Sequence, residues 1–134
     1  MPIIHLKVSG AEDTVLAKEL AVIISGLTKE ILHKKPEVTV VTIDFIPTHL
    51  WFINSESLSE LNAASFHLTI KISDSTNLKD DKSRYIDAVH QALAERLGTI
   101  HPVSYTAIEE MKADAYGYDG LTIEYKLISN KIKL

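Results

Sequence analysis

The chain has 134 residues, a formal net charge of −4 and a pI near 5.8, with 46% hydrophobic and 24% charged residues. It is long enough for one folded core, and its scattered lysines and acidic balance argue against nucleic acid as a partner. There is no cysteine, so disulfides and thiolate metal sites are excluded, and no apolar run approaches the ~18 residues of a membrane span.

Pro2 directly follows Met1. From there Ile4, Leu6 and Val8 alternate with His5 and Lys7, the two-residue period of a strand with one buried face. Proline costs little at the first position of a strand, where no ladder bond is asked of its nitrogen. Leu16, Leu20, Ile23, Leu27 and Ile31 recur on one helical stripe, which predicts a helix over residues 14–33. Gly26 inside it costs ~1 kcal/mol against alanine, and Pro36 supplies the stop. Val38, Val40, Val41, Ile43 and Phe45 then read as a strand covered on both faces. Residues 2–55 form a first β-α-β unit.

Phe66, Leu68, Ile70 and Ile72 repeat the first strand 64 residues later, laying Lys7 on Lys71 and Ser9 on Ser73. A second stripe, Tyr85, Ala88, Val89, Ala92, Leu93 and Leu97, matches the first helix at a shift of 65. Val103, Tyr105 and Ala107 open a fourth strand. Leu121, Ile123, Tyr125 and Leu127 alternate and read as a C-terminal strand able to pair with a neighbouring subunit. Residues 66–134 thus form a second unit, and 1–134 a single domain with an internal repeat. The fold class expected is α/β (α+β): two tandem β-α-β units making one four-stranded mixed sheet with two helices on one face. The bare face calls for a partner, which a small domain finds most cheaply in copies of itself.

His5, His33, His49, His67, His90 and His101 show no metal-ligand spacing. Nor is there a glycine-rich phosphate loop or a Gly-x-Ser-x-Gly elbow. Neither a metal nor a cofactor is expected.

A doubled β-α-β chain beginning Met-Pro resembles the tautomerase superfamily, whose members use an amino-terminal proline in catalysis. FHLTIKISDSTNLKDDKSR and YTAIEEM are similar to the third strand, following turn and fourth strand of the 5-carboxymethyl-2-hydroxymuconate isomerase branch. ALAERL and KPEVTV are similar to macrophage migration inhibitory factor. THLWFIN sits where 4-oxalocrotonate tautomerase carries a loop with an active-site phenylalanine, which would make Phe52 that residue. The 64-residue shift carries Phe52 onto Tyr116 in AYGYDG.

The resemblance implies a homotrimer of two-unit chains, sites near subunit boundaries, removal of Met1 and a cofactor-free isomerase acting on a small keto or enol acid. It makes Pro2 the catalytic residue. Lys35, Trp51, Phe52 and Tyr116 become substrate-binding residues, Lys35 through the Lys-Pro pair before strand two. The chain departs from the family in its arginines: Arg84 and Arg96 are the only two. The family's positions fall in the Gly10-Ala11-Glu12 turn, near Val41 and near Thr76, which counts against dicarboxylate muconates. No secretory signal pattern opens the chain, and a soluble, cytoplasmic protein is expected.

Tautomerisation needs a base near neutral pKa and a group to hold the developing enolate. A Pro2 amine in an apolar pocket near a cation suits the first role, because both surroundings disfavour its protonated form. Val41, Ile43, Trp51 and Phe52 are candidates for the apolar wall. Other readings stand beside these. Pro2 starts a strand and nothing more, Lys35 serves the helix C-terminus, and Trp51 and Phe52 point opposite ways in extended chain, as site or interface packing. At the level of function, the alternatives are Pro2 as a general acid in hydration, dehalogenation or decarboxylation, and a catalytically silent oligomeric binding protein.

Overall fold

The computed structural model describes residues 2–132. Its first half runs β1 (Ile3–Ser9), α1 (Thr14–Leu32), β2 (Val40–Ile46), the short hairpin β3 (Phe52–Ile53) and β4 (Glu56–Ser57), and α2 (Leu58–Leu61). The second half repeats that order as β5 (Phe66–Ser73), α3 (Lys79–Leu97), β6 (Tyr105–Met111), the hairpin β7 (Gly117–Tyr118) and β8 (Leu121–Thr122), and α4 (Ile123–Ile132).

Local chemistry sets the element ends. Asp13 caps α1, its carboxylate accepting from the N–H groups of Val15 and Leu16 at 3.1 and 3.0 Å, a contact worth about 1 kcal/mol. His33 ends the helix in left-handed conformation with its N–H on the Thr28 carbonyl, and Pro36 then opens a 3₁₀ turn. Helix α1 therefore stops one residue earlier than its apolar stripe predicts.

The sheet order is β2-β1-β5-β6, with β1 parallel to β2, β5 parallel to β6, and β1 antiparallel to β5 at the centre. This is the expected mixed sheet. Ile4, Leu6, Val8, Leu68, Ile70 and Ile72 are fully buried on one face under Leu20 and Ile24 of α1 and Val89 and Leu93 of α3. At roughly 1.5–3 kcal/mol for each fully buried side chain, this two-layer core is the main source of stability.

The uncovered face is polar along its middle, with Ile3 and Val40 exposed at one end and Tyr105 at the other. His5, Lys7, Thr69 and Lys71 are half-buried on it and Thr42, Asp44 and His67 exposed, with His5 Nε2 against Asp44 Oδ2 at 2.7 Å. Strand β2 is accordingly covered on one face only: Val41, Ile43 and Phe45 pack against the core, while Thr42 and Asp44 stay exposed. Reading it as buried on both faces gave its β-branched character too much weight and its alternating polar positions too little.

Two further features depart from the pattern the sequence predicts. From the helices onward the repeat runs at 65 residues, not 64, through the loop after each second strand. The Leu58 N–H donates to the Trp51 carbonyl at 2.9 Å and the Ile123 N–H to the Tyr116 carbonyl at 3.0 Å. The left-handed pair Asn54 and Ser55 recurs as Asp119 and Gly120. Trp51, not Phe52, is the counterpart of Tyr116, because the turn after β5 is one residue longer than the turn after β1.

The C-terminal strand is also replaced. Only Leu121 and Thr122 are extended; Ile123–Ile132 is helical. Thr122 Oγ1 accepts from the Tyr125 N–H at 3.0 Å, a helix-start contact. Of the four alternating residues only Ile123 is buried.

Candidate active site

Pro2 is buried immediately before β1, and its carbonyl accepts from the Val40 N–H at 3.2 Å. Ile3, the next residue, and Val40 open a cleft of about 490 Å³ whose other walls are Val38, Tyr116, Tyr118 and Ile123. Glu37 stands among the lining residues and is exposed. The wall is thus apolar as expected but differently built. Val41 and Ile43 face the core, and the alternation of β2 gives Val40 to the cleft instead.

Tyr116 is held from both sides of its residue. Its hydroxyl lies 2.5 Å from Ser73 Oγ at the end of β5, and its carbonyl takes the Ile123 bond. Gly117 makes this hairpin possible: a Cβ there would sit 1.9 Å from the Leu121 carbonyl oxygen. No other residue type fits without moving backbone.

A second opening, about 490 Å³, shares Val38 and Tyr118 with the first and carries Lys34, Lys35, Tyr125 and Lys126. Lys35 is exposed and precedes the Pro36 turn. Lys34, which the sequence reading does not single out, is half-buried. Its Nζ donates to Thr76 Oγ1 at 3.0 Å, and Thr76 Oγ1 donates to the Ser73 carbonyl at 2.6 Å. Burial holds the Lys34 pKa below the ordinary lysine value, partly opposed by the charge of Asp81. A signal was present in the sequence: paired lysines just after the helix end, where a left-handed cap turns the chain back over the sheet. Lys126 Nζ sits 4.0 Å from the Tyr118 ring centroid, a cation–π contact that leaves its charge at the same opening.

Trp51 and Phe52 lie elsewhere. Both line a separate cleft of about 460 Å³ with Lys7, His67, Val103 and Tyr105, at the opposite end of β1. Lys7 is five residue steps along the strand from Pro2, about 17 Å of rise. Within one chain Tyr116 lines the cleft that begins at Ile3, the residue after the buried Pro2, while Lys35 lies at the neighbouring opening and Trp51 and Phe52 are set apart. The whole stretch from Leu50 to Asn54 lines this cleft, with Phe52 the more exposed of the two aromatic residues.

No family model matches the sequence, and no curated protein does. Solved structures match over almost its whole length. The chain has the fold of the fused 4-OT proteins. Native fused 4-OT superposes with a TM-score of 0.80 at 15% identity, covering 92% of this chain and 97% of that one. Pt0534 inactivated by 2-oxo-3-pentynoate gives 0.80 at 10% identity, with 92% and 98% covered. A macrophage migration inhibitory factor-like protein from Entamoeba histolytica gives 0.74 at 20% identity, covering 90% and 97%. The tandem β-α-β architecture of the tautomerase type is therefore established. The finer likeness to the muconate isomerase branch rests on the sequence stretches alone.

Proposed function

We propose that the protein is a cofactor-free tautomerase in which the Pro2 amine, freed by removal of Met1, is the general base. The supporting observation is the burial of Pro2 at the head of β1, one residue before Ile3, which opens a largely apolar cleft that Tyr116 also lines. An amine in apolar surroundings is easier to keep neutral, because desolvation penalises its charged form.

The substrate is a small unsaturated keto or enol acid. Pro2 takes a proton from the hydroxyl of the enol or from a carbon alpha to the carbonyl, leaving the electron pair delocalised over the enolate. The protonated ring nitrogen then returns that proton to another carbon of the conjugated system, so no proton is gained or lost overall. Tyr116 donates a hydrogen bond to the enolate oxygen. Lys35 at the adjoining opening, reinforced by Lys34 and Lys126, supplies the positive potential that draws in the carboxylate in place of the absent arginines.

The working assembly is a homotrimer, the state in which fused 4-OT has been seen as a symmetric trimer. Three chains cover the exposed Thr42 and Asp44 of edge strand β2 and bring further residues to each cleft.

The experiment is turnover of phenylenolpyruvate by protein shown by intact mass to lack Met1, compared with Pro2→Ala. Loss of turnover in the variant is expected, as is covalent modification of Pro2 in the parent by 2-oxo-3-pentynoate. Undiminished turnover in Pro2→Ala rejects the proposal.

A further inference from the structure

The repeat builds a cleft twice. Register pairs Ile3 with Val40 across β1 and β2, and His67 with Tyr105 across β5 and β6. The first pair lines the Pro2 cleft and the second lines the cleft at the far end of the sheet. Trp51 holds in the far cleft the place that Tyr116 holds beside Pro2. Phe66 stands where Pro2 stands, with a peptide nitrogen and a ring buried in the core. The far cleft therefore has the shape of the first without its base.

Its polar groups differ as well. Lys7 and His67 are directly opposite one another across β1 and β5, and both line the cleft. Asp44 is in register with Lys7 on the other side but is engaged by His5 at 2.7 Å. Among the described residues Lys7 has no carboxylate within the 4.0 Å of an ion pair. The His67 ring meets the Tyr105 ring edge-on at 6.2 Å between centroids. Trp51 and Phe52 supply flat apolar walls, and Phe52 is 58% exposed at the mouth. An unpaired ammonium under aromatic walls, in about 460 Å³, matches one planar ring bearing one carboxylate.

We infer that the cleft formed by Lys7, His67, Trp51 and Phe52 is a second, non-catalytic binding site for a small aromatic carboxylate. The carboxylate accepts from Lys7 Nζ and from a ring N–H of His67, and the ring lies against Trp51 and Phe52. Binding here needs no free Pro2 and no proton transfer, so the site stands or falls independently of the tautomerase reading.

Trp51 is the only tryptophan in the chain, and its fluorescence reports on this cleft alone. Phenylacetate is titrated into the full-length protein. Saturable quenching is expected, weakened about tenfold in Lys7→Gln by loss of a charge-assisted hydrogen bond and unchanged in Pro2→Ala. Val103→Tyr, which fills the mouth, abolishes the response without touching Lys7 and covers the case of a poorly folded Lys7→Gln. An unsaturable or absent response, or full affinity in both cleft variants, overturns the inference. So does a Trp51 signal that ignores phenylacetate and changes only on dilution, which would give the cleft to subunit packing.

Discussion

The hydroxyl of Tyr116 lies 2.5 Å from Ser73 Oγ, tying the β7–β8 hairpin to the end of β5 beside Pro2. The bond fixes the phenol at the cleft wall before any substrate arrives, the preorganisation that makes a donor effective toward developing charge. Tyr116→Phe should lower kcat for phenylenolpyruvate about a hundredfold with little change in KM. Ser73→Ala keeps the donor but frees it, and a smaller loss is expected. Steady-state kinetics of the two variants check the order.

Lys34 and Lys35 are neighbours in sequence with different duties. Lys34 is tethered to Thr76 and through it to the Ser73 carbonyl, so Lys34→Ala should loosen the turn after β5 and cost about 1 kcal/mol in denaturant unfolding. Lys35 is exposed and free to meet an anion. Lys35→Ala should raise KM several-fold at low ionic strength with kcat preserved, and the gap should narrow as salt screens the charge.

Gly117 and Gly26 should respond oppositely to alanine. At Gly117 the new Cβ would meet the Leu121 carbonyl oxygen at 1.9 Å, forcing the hairpin open and shifting Tyr116 and Ile123. A destabilisation of about 1–3 kcal/mol is expected, with activity lost as well. Gly26 lies inside α1, where an added Cβ would meet nothing within 4 Å, and Gly26→Ala should stabilise by up to ~1 kcal/mol. Thermal unfolding of both variants measures the contrast.

Helices α1 and α3 meet through Thr28 Oγ1 and the Tyr85 hydroxyl at 2.8 Å, both residues fully buried. Burial pushes the Tyr85 pKa up from 10.0 to about 12, with the Thr28 bond opposing. The unfolded chain then releases this proton at lower pH than the folded one. Stability from the neutral phenol is complete below pH 10 and is lost as pH rises from 10 toward about 12, by roughly 2–3 kcal/mol. Tyr85→Phe should flatten that part of the stability–pH curve, as urea titrations between pH 9 and 12 would show.

The sheet and its two long helices were legible because Ile4, Leu6 and Val8, and then Leu68, Ile70 and Ile72, carry a strict period of two, while the helical stripes carry steps of three and four. The repeat was legible for the same reason. Its offset was legible too, 64 residues at the first strands and 65 at the helices; the pairing of Phe52 with Tyr116 went wrong by carrying 64 past the helix, where hydrogen bonds put Trp51 and Tyr116 in equivalent places. The last helix was misread because Leu121, Ile123, Tyr125 and Leu127 alternate by chance, and Thr122 as a cap outweighs a four-residue pattern. Pro2 and Tyr116 could be proposed together from likeness to known sequences. The separation of Trp51 and Phe52 could not, since it depends on which end of β1 each hairpin reaches, a property of the antiparallel β1–β5 pairing.

If Pro2 acts as a base, titration of its own nitrogen shows it. Protein carrying ¹⁵N-proline and lacking Met1 is followed by NMR across pH alongside kcat/KM for phenylenolpyruvate. The Pro2 amine is expected to titrate near or below neutrality, with the same midpoint as the rising limb of the activity profile. A Pro2 nitrogen still in peptide linkage, or one that holds its proton well above neutral pH while turnover proceeds, would contradict it.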